Sequence, residues 1–152
     1  MRVWRLARAG YPLFDGEGTR RFGSRWIPRG RRAVHTSATL SLAALELLVH
    51  TDPDLTPLDL VMAYADIPDT VSIHHLEVRD LPRGWRTYPG PDALHEIGSD
   101  WLERKSAAVL SLPSAVIPIE RNFVLNPAHA AFDAFQLGTP EPFTVDPRLF
   151  SS

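Results

Sequence analysis

One acidic side chain in this sequence occupies an unusual place. Residues 38–50 predict a helix that is apolar on every face, and Glu46 falls within the stripe formed by Leu42, Leu45 and Val49. A carboxylate there must be paired, protonated or functional, because burying an unpartnered charge is costly. On the residues alone, a carboxylate that reaches an edge or pairs with a structural arginine is the simpler interpretation, and a chemical role is the alternative.

A loop rich in arginine and glycine has the composition of a phosphate-binding segment. Arg25 follows Gly23 and Ser24, and it precedes Trp26 and Gly30. A guanidinium can hold two phosphate oxygens at once, and the indole of Trp26 could stack on a flat ring. The alternative is a solvated basic loop with Trp26 in the core. Neither GxGxxG nor a Walker sequence is present, so a Rossmann or P-loop site is not predicted.

Ser114 and His35 are weaker candidates. Ser114 follows a proline at the end of an apolar run, but without G-x-S-x-G around it no nucleophile elbow is predicted. His35 lies shortly before the helix that carries Glu46, close enough to approach that carboxylate. The six histidines show no metal-binding spacing, and cysteine is absent. We therefore expect no metal site.

The elements that must position these side chains are short. Fourteen prolines in 152 residues exclude a long helical bundle. Strands are predicted at residues 3–6, 33–36, 58–67, 70–78, 107–112, 122–125 and 143–145. Helices are predicted at 38–50, with Ser37 as the N-cap, and at 98–105 and 129–135. Residues 10–32 are expected to be loop, and strands that do not alternate with helices favour an α+β fold with mostly antiparallel sheets.

Charge and composition narrow the class of protein. Residues 1–32 contain nine arginines and two acidic residues, whereas residues 33–152 contain seven basic and sixteen acidic residues. A basic segment on an acidic body suggests a local anion site, and the net charge of −2 argues against a nucleic-acid binder. The sequence has neither an apolar run long enough to span a membrane nor a secretory signal. We expect a single cytoplasmic domain.

Taken in order, these residues resemble the RES-domain toxins, a family named for an arginine, a glutamate and a serine. The resemblance extends from about residue 3 to residue 132. The matching positions are Trp4-Arg5, Arg25-Trp26, Gly30, Val34, Ser37, Ala44-Leu45-Glu46, His50, Leu81-Pro82, Trp85, Gly98, Trp101-Leu102, Leu112-Pro113-Ser114, Asn122, Leu125-Asn126-Pro127 and His129.

The resemblance implies a fold similar to that of ADP-ribosyltransferase toxins, as one domain over residues 1–152 with an extended, proline-rich segment at 138–152. It implies a toxin that cleaves NAD at the nicotinamide–ribose bond, by hydrolysis or phosphorolysis, and so arrests growth. NAD is then a substrate, and no metal is needed. The implied partner is an Xre-like helix-turn-helix antitoxin that covers the active site in a hetero-oligomer, with no direct contact to nucleic acid or membrane.

The name-giving residues of the family fall on Arg25, Glu46 and Ser114. Cleavage of the nicotinamide–ribose bond develops positive charge on the ribose, which Glu46 would stabilise. Arg25 would hold the pyrophosphate. Ser114 and Asn122 would hydrogen-bond the ligand or orient the carboxylate, and no base is visible that would make Ser114 a nucleophile.

The sequence departs from the family at three positions. His35 stands where the family has a tyrosine, Ser24 replaces a glycine, and Ala130 replaces a proline. Either Trp26 or a neutral His35 would face the nicotinamide ring. A nearby Glu46 carboxylate is expected to raise the pKa of His35 above its ordinary value of ~6.5.

Two other functions are compatible with this sequence. The same cleavage with a protein side chain as acceptor would make the chain a mono-ADP-ribosyltransferase. The substitution at His35 leaves open a degenerate site that binds without catalysis.

Overall fold

The computed structural model describes residues 1–52, 54 and 59–149, and its strands form one curled sheet. The strands are β1 (Arg2–Arg8), β2 (Val34–Ser37), β3 (Leu60–Asp66), β4 (Ile73–His75), β5 (Val109–Pro113), β6 (Arg121–Leu125), β7 (Gln136–Leu137) and β8 (Glu141–Phe143). Their order is β4-β5-β6-β2-β1-β3-β7, and β8 also pairs with β3. The β4–β5 pair is parallel, and the other pairs among the described residues are antiparallel. The α+β prediction is confirmed.

The centre of the sheet brings together strands that are distant in the sequence. β1 pairs with β3 along its whole length, from Arg2 opposite Asp66 to Arg8 opposite Leu60. On its other side β1 meets β2, and β2 pairs with β6. Every residue of β5 is buried, which explains why all of its residues except Ser111 are apolar. The first strand therefore lies between β2 and β3, and β6 from near the end of the chain joins the same sheet through β2.

The described residues form three α-helices beside this sheet: α1 (Glu17–Phe22), α2 (Leu40–Leu48) and α3 (Ala93–Arg104). Shorter 3₁₀ turns occur at Val78–Asp80, Ala130–Ala134 and Pro147–Leu149. In α3, a Cβ on Gly98 would lie 1.9 Å from the carbonyl oxygen of Trp26. Only glycine lets α3 lie this close to the segment that follows Arg25, so this contact fixes one side of the arginine loop.

Several predicted element boundaries differ from those of the structure. Ser37 ends β2 instead of capping α2; Thr39 is the cap, and its Oγ1 accepts from the amide of Leu42 at 3.1 Å. Both are good capping residues, and the pairing of β2 with β6 decides between them. The predicted loop at 10–32 contains α1, whose glycine-rich flanks concealed it.

Other predicted elements change length. The predicted strand at 58–67 begins at Leu60, and Leu58 lies outside the described residues. The predicted strand at 70–78 is limited to Ile73–His75, and α3 begins five residues before its predicted start. The last predicted strand, 143–145, forms instead at Glu141–Phe143, within the extended segment. No helix in the described part of the chain is long and apolar enough to cross a membrane.

Candidate active site

A cleft of about 590 Å³ opens between the sheet and α2. This volume is within the range of small-molecule sites. Five residues predicted from the sequence line it, namely Arg25, Trp26, His35, Glu46 and Asn122. Ser114 is fully buried and lies behind Glu46.

Glu46 is held by two side chains from distant strands. Its Oε1 accepts hydrogen bonds from Ser114 Oγ at 2.7 Å and from Asn122 Nδ2 at 2.6 Å. Within the described residues Oε2 accepts none, and no arginine or lysine is within salt-bridge distance of Glu46. The structural-arginine interpretation of Glu46 is therefore wrong. One carboxylate oxygen is fixed, and the other is left for a ligand.

Ser37, first interpreted as a helix cap, orients the amide that holds Glu46. Its side chain is buried, and its Oγ donates to Asn122 Oδ1 at 2.7 Å. A carboxylate oxygen cannot donate to an amide oxygen, so Asn122 must turn its Nδ2 toward Glu46. The sequence signal for this role was the alternation of β2, which places Ser37 on the same face as His35.

The hydroxyl of Ser114 uses its proton and both of its lone pairs in hydrogen bonds. Its oxygen accepts from the backbone amides of Val116 at 3.1 Å and Ile117 at 3.0 Å. Its single proton goes to Glu46. A hydroxyl bound in this way has no lone pair free for attack, so the geometry favours an orienting role over a nucleophilic one.

Arg25 presents one edge of its guanidinium to the cleft. Its Nη1 donates to the carbonyl oxygens of Trp85 at 2.8 Å and Thr87 at 2.7 Å. Nε and Nη2 make no hydrogen bond to the described residues. Burial lowers the pKa of Arg25, and the carboxylate of Glu46 acts in the opposite direction. The free edge has the two parallel donors that a phosphate accepts.

Arg5 is a second cation in the cleft, and no role was predicted for it from the sequence. Its Nη1 donates to the carbonyl oxygen of His35 at 3.0 Å, while its buried Nε has no partner. No carboxylate in the described residues is within salt-bridge distance of it, and burial lowers its pKa. The signal was the position of Arg5 two residues after Val3, which places both side chains on the same face of β1.

His35 is neutral because its pKa is lowered, whereas an increase was predicted from the sequence. Burial, with a smaller contribution from the Arg5 charge, lowers the pKa of His35 to about 4. The expected increase caused by Glu46 is wrong, because burial dominates the shift and the charge that acts on the imidazole is the Arg5 guanidinium, not the Glu46 carboxylate. Nδ1 lies 3.3 Å from Thr19 Oγ1, and the buried Nε2 has no partner.

Trp26 is a core residue more than a cleft residue. Its side chain is 5% exposed and packs in a cluster with Ile27, Leu94 and Trp101. The strongly exposed rings at the cleft are those of Phe22 and Tyr88, which the sequence analysis did not single out. Tyr88 lies in a turn before a proline, and its ring is 6.0 Å from that of His50.

The RES domain family matches residues 2–146 of the chain. The chain belongs to this family of toxins. A relative named Toxin Res from Yersinia enterocolitica is 35% identical over 153 residues, covering 98% of this chain and 99% of that protein. The Prs ADP-ribosylating toxin of a Sphingobium species is 30% identical over 152 residues, covering 96% of this chain and 94% of that protein.

A solved structure shares the fold of this RES-family chain. It comes from the toxin–antitoxin complex MbcT–MbcA of M. tuberculosis and has a TM-score of 0.73. The match covers 98% of this chain and 86% of that chain, at 16% identity. The fold is therefore retained at low sequence identity.

Proposed function

We propose that this chain is a toxin that cleaves the nicotinamide–ribose bond of NAD and depletes the NAD of the cell that makes it. The observation that carries the proposal is Glu46, whose Oε1 is fixed by Ser114 and Asn122 in a cleft that also holds two arginines. Membership of the RES domain family supports the same chemistry.

The chemical step needs little from the protein beyond a placed negative charge. The bond between C1′ of the ribose and the ring nitrogen breaks, and its electron pair goes to nitrogen, so nicotinamide leaves neutral. Positive charge develops on the ribose, as in glycoside cleavage. Glu46 stabilises that charge without having to reorganise, because its hydrogen bonds exist before the substrate arrives.

Binding of the dinucleotide falls to the arginines. The free edge of Arg25 holds one phosphate of the pyrophosphate group, and Arg5 holds the other. A buried guanidinium without a carboxylate partner is costly, and an anionic ligand removes that cost. A neutral His35 adds no positive charge near the nicotinamide cation. A protonated imidazole would repel that cation in a water-poor cleft and so oppose binding.

The acceptor of the ADP-ribose group is water or phosphate in this proposal. A second candidate is transfer to a protein side chain, which is favoured by the similarity to the Prs ADP-ribosylating toxin. Both begin with the same bond cleavage, so the residues above have the same roles.

The test is to incubate the purified chain with NAD in phosphate-free buffer, and in parallel with phosphate or a desalted cell lysate. Mass spectrometry distinguishes ADP-ribose, phosphorylated ADP-ribose and modified protein. Nicotinamide released in molar excess without protein acceptor supports the first candidate, and stoichiometric modification of a lysate protein supports the second. No nicotinamide in any of the three mixtures would refute both and leave a binding module.

The same proposal includes an antitoxin of the Xre type that covers the cleft in the cytoplasm. Support comes from the structural neighbour, which was solved as a toxin–antitoxin complex. We expect a helix-turn-helix protein encoded beside this chain to co-purify with it and to block nicotinamide release. Co-purification without inhibition would place the antitoxin away from the cleft.

A further inference from the structure

Three consecutive residues, 85–87, contact both Arg25 and the turn that supports Glu46. The segment Trp85–Thr87 belongs to a turn in which the amide of Trp85 donates to the carbonyl of Pro82 and the amide of Thr87 donates to that of Gly84. The indole of Trp85 is buried in the core, which anchors the segment. Its backbone carbonyls at Trp85 and Thr87 accept from Arg25.

The side chain between those carbonyls points to the other support. Arg86 Nε donates to the carbonyl oxygen of Ala115 at 2.9 Å, and its Nη2 lies 3.5 Å from that of Val116. The carbonyls so held belong to the turn after Ser114. The amides of Val116 and Ile117 in this turn donate to Ser114 Oγ, which donates to Glu46.

We propose that Arg86 is a positioning residue for NAD cleavage, acting on Glu46 through the turn 114–117 and the hydroxyl of Ser114. This inference rests on the proposed function for its kinetic consequence. A guanidinium on the carbonyl side of the turn holds the two amides at the distances that orient the Ser114 proton toward Oε1. Without it the turn relaxes, and the carboxylate loses one of its two fixed donors for part of the time.

The expected signature separates Arg86 from a residue that merely supports the fold. Arg86→Ala lowers kcat for nicotinamide release by about 3- to 10-fold and leaves KM for NAD within about twofold. In a Ser114→Ala background the same substitution has no further effect on kcat, because the connecting hydroxyl is gone. A general loss of folding would instead lower activity in both backgrounds and would lower the midpoint of thermal unfolding.

A second readout does not use NAD. Amide hydrogen exchange measured by NMR should become at least about threefold faster at Val116 and Ile117 in Arg86→Ala. Arg83→Ala is the matched control, since Arg83 lies in the same turn region, is exposed, and makes no hydrogen bond or ion pair with the described residues. We expect it to change neither exchange nor kinetics.

The outcomes distinguish this inference from the proposed function. Unchanged exchange at Val116 and Ile117 overturns the role of Arg86, whether or not the chain cleaves NAD. If the wild-type chain cleaves NAD and Arg86→Ala still lowers kcat in the Ser114→Ala background, the positioning role of Arg86 is also overturned. If the wild-type chain releases no nicotinamide, the proposed function fails and the exchange measurement decides the positioning role alone.

Discussion

The two halves of the cleft differ in how their polar atoms are satisfied. The carboxylate half consists of Glu46, Ser114, Asn122 and Ser37, and within the described residues it leaves no buried polar side-chain atom without a partner. The other half, named the cationic half for its arginine, consists of Arg5 and the neutral His35, and each has a buried nitrogen without a partner.

This difference separates positioning from binding. Buried polar groups in proteins are almost always hydrogen-bonded, so an exception calls for an explanation. In the carboxylate half every buried polar side-chain atom of the described residues has a partner before a ligand arrives, and Oε2 of Glu46 is the oxygen left for the ligand. This arrangement is expected for groups that must stabilise a transition state without moving. The cationic half is incomplete until an anion with acceptor atoms enters, as expected for groups that bind substrate.

The largest expected effect removes the charge from the carboxylate half. Glu46→Gln keeps an oxygen that can accept from Ser114 and Asn122, so we expect the fold to remain intact. Nicotinamide release should fall by about 10²–10³-fold, the usual cost of losing one electrostatic stabiliser. The measurement is kcat on purified protein, with circular dichroism as the control for folding. Wild-type turnover in this variant would make Glu46 a structural residue.

A substitution in the cationic half should affect binding instead. Arg5→Met removes a buried guanidinium, and NAD affinity measured by calorimetry should weaken by about 10- to 100-fold, in line with ~1.5–3 kcal/mol for a hydrogen bond to a charged group. The free energy of unfolding should change little, because the lost bond to the His35 carbonyl is offset by the removal of an unpaired buried charge.

Arg8→Met is the matched control for Arg5→Met, because Arg8 lies on the same strand and is exposed. Equal affinity in the Arg5 and Arg8 variants would show that the pyrophosphate does not reach the cationic half.

The free energy of unfolding should decrease in acid because His35 is buried in its neutral form. The pKa of His35 is lowered to about 4 in the folded protein, against ~6.5 when unfolded. The unfolded chain therefore binds more protons between these values, and stability falls as the pH decreases through this window. From pH 7 to pH 5 this amounts to about 2 kcal/mol of unfolding free energy.

Urea denaturation of the wild-type chain and His35→Tyr at both pH values checks this expectation. The tyrosine variant should lose about 2 kcal/mol less than the wild-type chain, since a phenol does not titrate in this range. The same acid sensitivity in both proteins would assign it to other groups.

The smallest effect comes from the outer support of the carboxylate half. Ser37→Ala leaves Asn122 Oδ1 without its donor, so the amide no longer has a fixed orientation and kcat should fall by about tenfold, less than for Glu46→Gln. Ser41→Ala is the control, because Ser41 is exposed on α2. If Ser37→Ala raised KM and left kcat unchanged, Asn122 would be a substrate ligand and not a support for Glu46.

Local patterns predicted much of what surrounds the carboxylate. An apolar helix with one acidic residue is visible in the sequence because helical periodicity depends on near neighbours, and α2 carries Glu46 as predicted. The resemblance to the RES-domain toxins, and not a local pattern, predicted that Arg25, Glu46 and Asn122 would share a site, and all three line the cleft.

Long-range pairing explains what the sequence did not reveal. His35 was placed near Glu46 because the two are close in the chain, but its charged neighbour is Arg5, thirty residues away, brought there because β1 pairs with β2. Ser37 was predicted to cap a helix because capping depends on neighbouring residues, but in the structure it pairs with Asn122 of β6. Neither contact can be read from spacing, since strand order is a property of the whole fold.

The separation in sequence between Glu46 and its two donors has a consequence for the growing chain. Ser114 follows the carboxylate by 68 residues and Asn122 follows it by 76. At a translation rate of ~5–20 residues per second, roughly 4 to 15 seconds pass between the synthesis of Glu46 and that of Asn122. A chain that stops anywhere in that interval lacks Asn122 and therefore lacks one of the two donors to Glu46. If Glu46 acts as proposed, such truncated products are expected to leave NAD uncleaved, and activity begins only after Asn122 has been made.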